Sequence, residues 1–230
     1  MSKTSEMKII ARIRTEFPEK FGIPRQSGLV EELRADIIFE PEYRNPDAFR
    51  GIEEYSHLWL LWQFSEAVRD TWSPTVRPPR LGGNTRVGVF ATRSPFRPNA
   101  IGLSSVRLAG VDLQTKEGPV LHVAGADLLD GTPIYDIKPY LPYADSHPDA
   151  AGGFTERVKD YELTVECAEE LTEEIPERVR RALLATLAQD PRPSYQNDPE
   201  RVYGMSFAGY EVKFAVRDKI LTVCAINKAD

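Results

Sequence analysis

Residues 56–64, Ser-His-Leu-Trp-Leu-Leu-Trp-Gln-Phe, carry the reading that decides the fold. The apolar run from Leu58 to Phe64 is broken only by Gln63 and has strand length, far short of the ~18–20 residues that span a bilayer. Its aromatic and aliphatic content predicts a central strand buried on both sides, with Trp59, Trp62 and Phe64 in the core. Working outward, Met7 to Ile13 alternates with Met7, Ile9, Ala11 and Ile13 on one side, and Leu33 to Glu40 reads as a second strand. Arg86 to Thr92, Gly102 to Leu113 and Pro119 to Ala126 are three more strand candidates. Asn45-Pro46 signals a helix start, with Asn as cap and Pro at the first position, and the short helix ends near Gly51. Pro18 to Val30 and Trp72 to Asn84 read as loops, the second too rich in Pro and Gly for regular structure. Six or so strands, one short helix and long decorated loops predict a mainly β fold, with an antiparallel or mixed β-barrel at the N-terminus rather than βαβ units.

The Pro/Gly-rich stretch Ala144 to Phe154 predicts a boundary, giving a barrel domain over residues 1–146 and a small α+β domain over 155–230. In the second, Tyr161 to Glu166 reads as a strand. Pro176 to Gln189 reads as an amphipathic helix with Val179, Ala182, Leu183, Thr186 and Leu187 on one face. The stretch Tyr210 to Val216 alternates, and Arg217-Asp218-Lys219 turns it into a last strand, Ile220 to Ile226. A chain of 230 residues with 41% hydrophobic and 28% charged content is ordinary for a globular protein. The N-terminus lacks the apolar stretch and cleavage site of a secretory signal, and the two cysteines, Cys167 and Cys224, read as small buried hydrophobes of a reduced, cytoplasmic protein.

Charge is informative locally. The net charge is -6, yet Thr71 to Val111 contains no Asp, Glu or Lys and six arginines: Arg77, Arg80, Arg86, Arg93, Arg97 and Arg107. Arg presents a planar fork suited to phosphate and carboxylate. The window therefore reads either as surface arginines paired with acids elsewhere or as an anion-binding face, and a basic face on an acidic protein can still steer nucleic acid. P-loop, glycine-rich dinucleotide, HExxH and GxSxG patterns are all missing, and Gly82-Gly83 sits before a strand, the wrong context. Four polar loops remain: Ile23 to Gln26, Ser56 to Trp59, Ala91 to Gly102 and Asp127 to Tyr140. Their prolines restrict the backbone and pre-organise a shared rim site. Asp127, Asp130 and Asp136 have generic spacing, and a carboxylate accepting hydrogen bonds is favoured over a metal cluster.

The strings PRQSGLV (24–30), SHLWLLWQF (56–64), PTVRPPRLGG (74–83), GVFATRSPFRPNAIGLS (88–104), DLLDGTPIYDIKPYLPYADS (127–146) and AQDPRPSY (188–195) together resemble the TsaA-like family in its longer bacterial TrmO form. The resemblance implies a β-barrel that binds S-adenosylmethionine without a metal. It implies methylation of the exocyclic nitrogen of N6-threonylcarbamoyladenosine, beside the anticodon of a tRNA that reads threonine codons. It also implies a homodimer with the cofactor near the subunit contact.

Carried over by motif, the cofactor contacts are Pro24, Arg25, Gln26, His57, Leu58, Arg93, Leu103 and the turn Asp130, Gly131, Thr132 and Pro133. Arg25 or Arg93 suits the cofactor carboxylate, and Asp130 the ribose hydroxyls or the ammonium. The all-Arg window then has a purpose, with Arg77, Arg80, Arg86 and Arg97 meeting RNA. In an extended segment Asp136, Lys138 and Tyr140 project to one face. They are the expected catalytic trio: Asp136 takes the departing proton, Lys138 pairs the threonyl carboxylate, and Tyr140 holds the base. The competing reading makes Asp136 and Lys138 a structural ion pair. Two other functions stay open at this point: a non-catalytic RNA or small-ligand module, and a metal-dependent hydrolase built on the three aspartates.

Overall fold

A computed structural model describes residues 5–81, 84–157, 161–193, 196 and 198–229. In chain order it contains β1 (Ala11–Arg14), β2 (Arg34–Phe39), β3 (His57–Gln63), β4 (Thr75–Val76), β5 (Val87–Gly88), β6 (Ile101–Thr115), β7 (Gly118–Ala124), β8 (Pro133–Pro139) and α1 (Pro142–Asp145). There follow β9 (Thr164–Glu166), α2 (Glu177–Ala188), β10 (Val202–Phe207), β11 (Tyr210–Arg217) and β12 (Ile220–Lys228). Six strands close into a barrel in the order β1-β2-β7-β6-β3-β8, and every pairing around it is antiparallel. The expected mainly β barrel is what forms.

A closed barrel has one interior, so each strand buries one face and wets the other. β3 obeys this rule: Leu58, Leu60 and Trp62 point into the core, while Trp59, Leu61 and Gln63 face outward and are half-buried. The expectation that β3 is buried on both sides is therefore corrected. Trp59 leaves the core and its indole Nε1 donates to Asp145 Oδ2 at 2.9 Å, pinning α1 to the outer wall. Trp62 stays inside and donates from Nε1 to Ser104 Oγ at 3.0 Å.

Other differences have local causes. Met7 is exposed and the first strand starts only at Ala11. Of the expected strand 86–92 only Val87–Gly88 pairs, against β4 inside the stretch expected to be irregular, because Val89–Ala91 coil into a 3-10 turn. The strand that closes the barrel, β8, lies in a segment read as loop, since prolines at both its ends mask a short apolar core. Asn45 does cap, accepting from the Asp47 N–H at 3.0 Å, but only a 3-10 turn follows.

The second sheet has the order β10-β11-β12-β9 and packs against α2 through Ala182, Leu183 and Leu187. Its core also takes Phe17, Val30 and Leu33 from the long loop between β1 and β2. Gly22 in that loop has φ +97°, and a Cβ there would meet Met205 Cε of β10 at 2.7 Å. β10 itself has no counterpart in the sequence reading. Cys224 is exposed and Cys167 half-exposed, which corrects their expected burial.

Gly102 is required by contact rather than by torsion: an added Cβ would lie 2.2 Å from the Trp62 ring. That ring is 7% exposed and tethered through its Nε1, so it has nowhere to go. Gly102→Ala should therefore cost about 1–3 kcal/mol, the scale of overpacking, read as a lower urea midpoint at unchanged slope.

Candidate active site

The register defines two rims. At one, Gln63 pairs Ile101, Trp62 pairs Ile134 and Arg12 pairs Pro133. At the other, His57 pairs Arg107 and Leu58 pairs Val106 and Pro139. Six residues of strand, about 20 Å, separate them.

The first rim gathers most of the expected cofactor residues. Arg93 Nη1 donates to Gln26 Oε1, and Gln26 Nε2 donates to the Arg25 carbonyl. Beneath them lies Asp127, whose Oδ1 accepts the Ser104 hydroxyl at 2.6 Å. Burial pushes the Asp127 carboxyl above the usual range, against the opposing pull of Ser104, its own and the Ser27 backbone N–H groups, and the Arg93 charge. The turn Asp130–Pro133 sits on the same rim against β1. There Asp130 Oδ1 accepts the Thr15 N–H at 2.8 Å, and the Gly131 carbonyl accepts from Arg12 Nη1 at 3.2 Å. Thr132 is buried with its hydroxyl on the Leu129 carbonyl. Leu103 points outward across from Leu61 and is 51% exposed, an apolar surface two residues from the rim.

His57 and Leu58 are not brought to this cluster. They open β3 at the opposite rim. Leu58 is fully buried, and His57 Nδ1 lies 2.9 Å from Ser56 Oγ with its ring 6.2 Å from that of Tyr140. The motif containing them runs the length of β3, and its first residues fall at the end away from Gln63.

Asp136 and Lys138 share the outward face as expected, opposite Leu61 and Trp59 respectively. Their charged groups stand 2.8 Å apart, so the ion pair forms, with the side chains 43% and 63% exposed. Tyr140 follows, its N–H on the His57 carbonyl and its ring 5.6 Å from Trp59.

The arginine window divides. Arg97 is half-buried and donates from Nη1 to the Thr92 and Val89 carbonyls at 2.7 and 3.4 Å, so it braces the rim loop, a job the sequence reading does not assign. Arg86 is exposed and donates to Thr75 Oγ1. Arg77 sits exposed just after β4, and the Arg80 side chain lies outside the described residues. The loop after Val89 is cross-linked further: Ser94 N–H donates to Thr92 Oγ1 and Phe96 N–H to Ser94 Oγ. Among the described residues no group of three His, Cys, Asp or Glu side chains is placed to hold a metal.

Behind Pro24 and Arg25 stands the segment after α2. Arg25 Nη2 donates to the Arg192 carbonyl at 3.2 Å. Arg192 and Asp190 form a two-pronged pair at 2.8 and 3.0 Å, and both residues are under 10% exposed. Tyr161 OH donates to Asp190 Oδ2. Ser194 and Tyr195, the end of the quoted string, lie outside the described residues. Asp127, Ser104 and Asp190 are the polar residues that sequence reasoning left without a place at the site.

A closed antiparallel barrel with a loop-built polar rim and a separate small sheet defines a class before it defines a protein. Residues 12–146 match the tRNA-methyltransferase O N-terminal domain, and residues 160–229 match the TrmO C-terminal domain. A tRNA (adenine(37)-N6)-methyltransferase of Escherichia coli K12 is 42% identical over 226 residues, covering 95% of this chain and 96% of the relative. A putative S-adenosylmethionine-dependent methyltransferase of Pseudomonas aeruginosa is 44% identical over 209 residues, covering 88% of each. A crystal structure of TrmO from the same organism superposes with TM-score 0.79 at 34% identity, covering 100% of this chain and 99% of that one. The chain belongs to the tRNA-methyltransferase O family and is an enzyme of that family.

The Asp190–Arg192 pair sets a pH signature. Burial works against the Asp190 carboxylate, but the Arg192 hydrogen bonds and charge, with the Tyr161 hydroxyl, outweigh it and hold the group below the usual range. A depressed folded value means stability that is present above the unfolded Asp value, near 3.9, and lost as pH falls through the folded one. Arg192→Ala leaves a buried carboxylate unpaired and should cost about 3–5 kcal/mol at neutral pH. Asp190→Asn should flatten the acid limb of the stability curve, measured by urea titration between pH 2 and 7.

Proposed function

We propose that this enzyme transfers a methyl group from S-adenosylmethionine to the exocyclic nitrogen of N6-threonylcarbamoyladenosine, beside the anticodon of tRNA. The observation that carries the reading is the convergence of Gln26 and Arg93 over Asp127 at one barrel rim, in a chain that matches a tRNA (adenine(37)-N6)-methyltransferase end to end. The donor set suits such a cofactor: a guanidinium for its carboxylate, amide groups for its polar edges, and the exposed Leu103 for its apolar face. When bound, the cofactor supplies a carbon activated by positively charged sulfur. The protein's own work is to position and to take a proton.

The acceptor face follows from the barrel wall. Asp136 and Lys138 put a carboxylate beside an ammonium on the outward side of β8, within one strand of Leu61 and Leu103. Asp136 accepts the proton from the nitrogen, Lys138 swings to the threonyl carboxylate, and Tyr140 holds the base. Arg77 and Arg86, with Arg80, meet the tRNA backbone.

We assign catalysis to residues 1–146 and support of the rim to 155–230, in a homodimer acting in the cytoplasm. The exposed side chains of Trp72, Phe90 and Leu103 provide apolar surface for the subunit contact. Light scattering that returns a monomer mass for the fully active enzyme would remove the dimer.

The deciding experiment incubates the protein with labelled S-adenosylmethionine and tRNA, with and without the threonylcarbamoyl group. Label should enter only the modified tRNA and survive chelator. Arg93→Ala should weaken cofactor binding by roughly 1.5–3 kcal/mol, the scale of a charge-assisted hydrogen bond. Asp136→Asn should leave binding and melting near wild type while turnover falls ~10²–10⁴-fold. A normally active Asp136→Asn enzyme assigns the pair with Lys138 to structure alone.

A further inference from the structure

The barrel core contains a polar chain that none of the chemistry above uses. Trp62 Nε1 donates to Ser104 Oγ at 3.0 Å, and Ser104 donates in turn to Asp127 Oδ1 at 2.6 Å. Ser104 is 1% exposed and Trp62 is 7% exposed, so the chain runs from the interior to the rim through buried groups. At its outer end the Asp127 carboxylate meets the Ser27 backbone N–H and the Arg93 charge, one from each rim loop. Those two loops are also joined directly, through Arg93 and Gln26.

We propose that Asp127 is a positioning residue for the cofactor, its carboxylate locking the Gln26–Ser27 segment and Arg93 into one arrangement while Ser104 and Trp62 lock the carboxylate. The inference rests on the reading that this rim takes S-adenosylmethionine.

Two physical points favour it over a purely structural role. The Ser104 hydroxyl needs an acceptor, and an asparagine carbonyl oxygen would serve as well as a carboxylate. The negative charge therefore has its use elsewhere, and Arg93 is the cation that acts on it. Moreover, the buried carboxyl favours its protonated form. A group whose folded value is raised contributes stability at low pH that is lost as pH rises through that value. Keeping a charge on Asp127 is thus a cost to the fold, as expected of a group retained for a site.

The test combines titration calorimetry with S-adenosylhomocysteine, thermal melting, and amide hydrogen exchange at Gln26 and Ser27. It is run on wild type, Asp127→Asn, Arg93→Ala and the double variant. Asp127→Asn should melt at or above the wild-type temperature, bind S-adenosylhomocysteine on the order of tenfold more weakly, and exchange faster at Gln26 and Ser27. The double variant should bind no more weakly than Arg93→Ala, because the two residues act as one unit. Asp127→Asn affinity equal to wild type overturns the proposal, and so do additive losses or a melting temperature that falls with affinity. If the wild type itself fails to bind S-adenosylhomocysteine, the cofactor reading fails by that result. Exchange at Gln26 and Ser27 then decides whether Asp127 orders the rim, and unchanged rates overturn that too.

Discussion

The burial of one loop in two places is the constraint on which the rest depends. The segment between β1 and β2 leaves the barrel, inserts Phe17, Val30 and Leu33 into the core of the second sheet, and returns. Both ends are tied to the barrel by backbone: the Phe17 carbonyl accepts from Asp130, and Gly28 N–H donates to Gly125. A free loop of this length would have to be ordered at about 1–2 kcal/mol per residue of backbone entropy. Here much of that cost is offset by apolar burial that the second sheet provides. The Pro24–Gln26 stretch lies between these anchors, so the second unit shapes the rim by packing this loop and by the Arg192 carbonyl that Arg25 reaches.

The same economy governs the polar groups. Low dielectric makes a satisfied buried network rigid and an unsatisfied one expensive. The Asp190–Arg192–Tyr161 group and the Trp62–Ser104–Asp127 chain approach the rim from opposite sides, one from each core. The first braces Arg25 through a main-chain carbonyl, the second braces Ser27 through a main-chain amide. Held so, the loop has little freedom left to lose when a ligand arrives, which is how pre-organisation raises affinity.

Much of this was legible in the residues. The alternation of β2, the first half of β6, β11 and β12 follows period-two patterning, and the three/four spacing of α2 places its buried face correctly. β8 was not legible as a strand because proline is the common mark of both a loop and a strand end. Trp59 and Trp62 look alike in sequence, and only closure of the barrel decides that one is core and the other a tether for α1. The sequence reading makes Arg93 and Gln26 cofactor contacts, and Asp127 only a carboxylate accepting hydrogen bonds in its loop. Its role depends on Ser104 facing inward, a matter of register, and on a raised proton affinity that arises only in the folded interior. His57 shows another side of the same point: its motif runs the length of β3, and six residues of strand separate His57 from Gln63.

The barrel seam has a consequence for motion. β1 pairs β8 at Ala11↔Ile134 and Arg12↔Pro133, with backbone bonds from Ile10 to Ile134 and between Ile13 and Gly131 and Thr132 beside them, whereas β3 and β6 are matched along the whole of β3. Proline adds no N–H to that short ladder. A cylinder under thermal agitation parts where its ladder is shortest, on the slower timescales of local opening. The turn Asp130–Pro133 hangs on that seam, through Ile13 and Thr15. Breathing of the barrel at this seam and movement of the Asp130–Pro133 turn are then one motion.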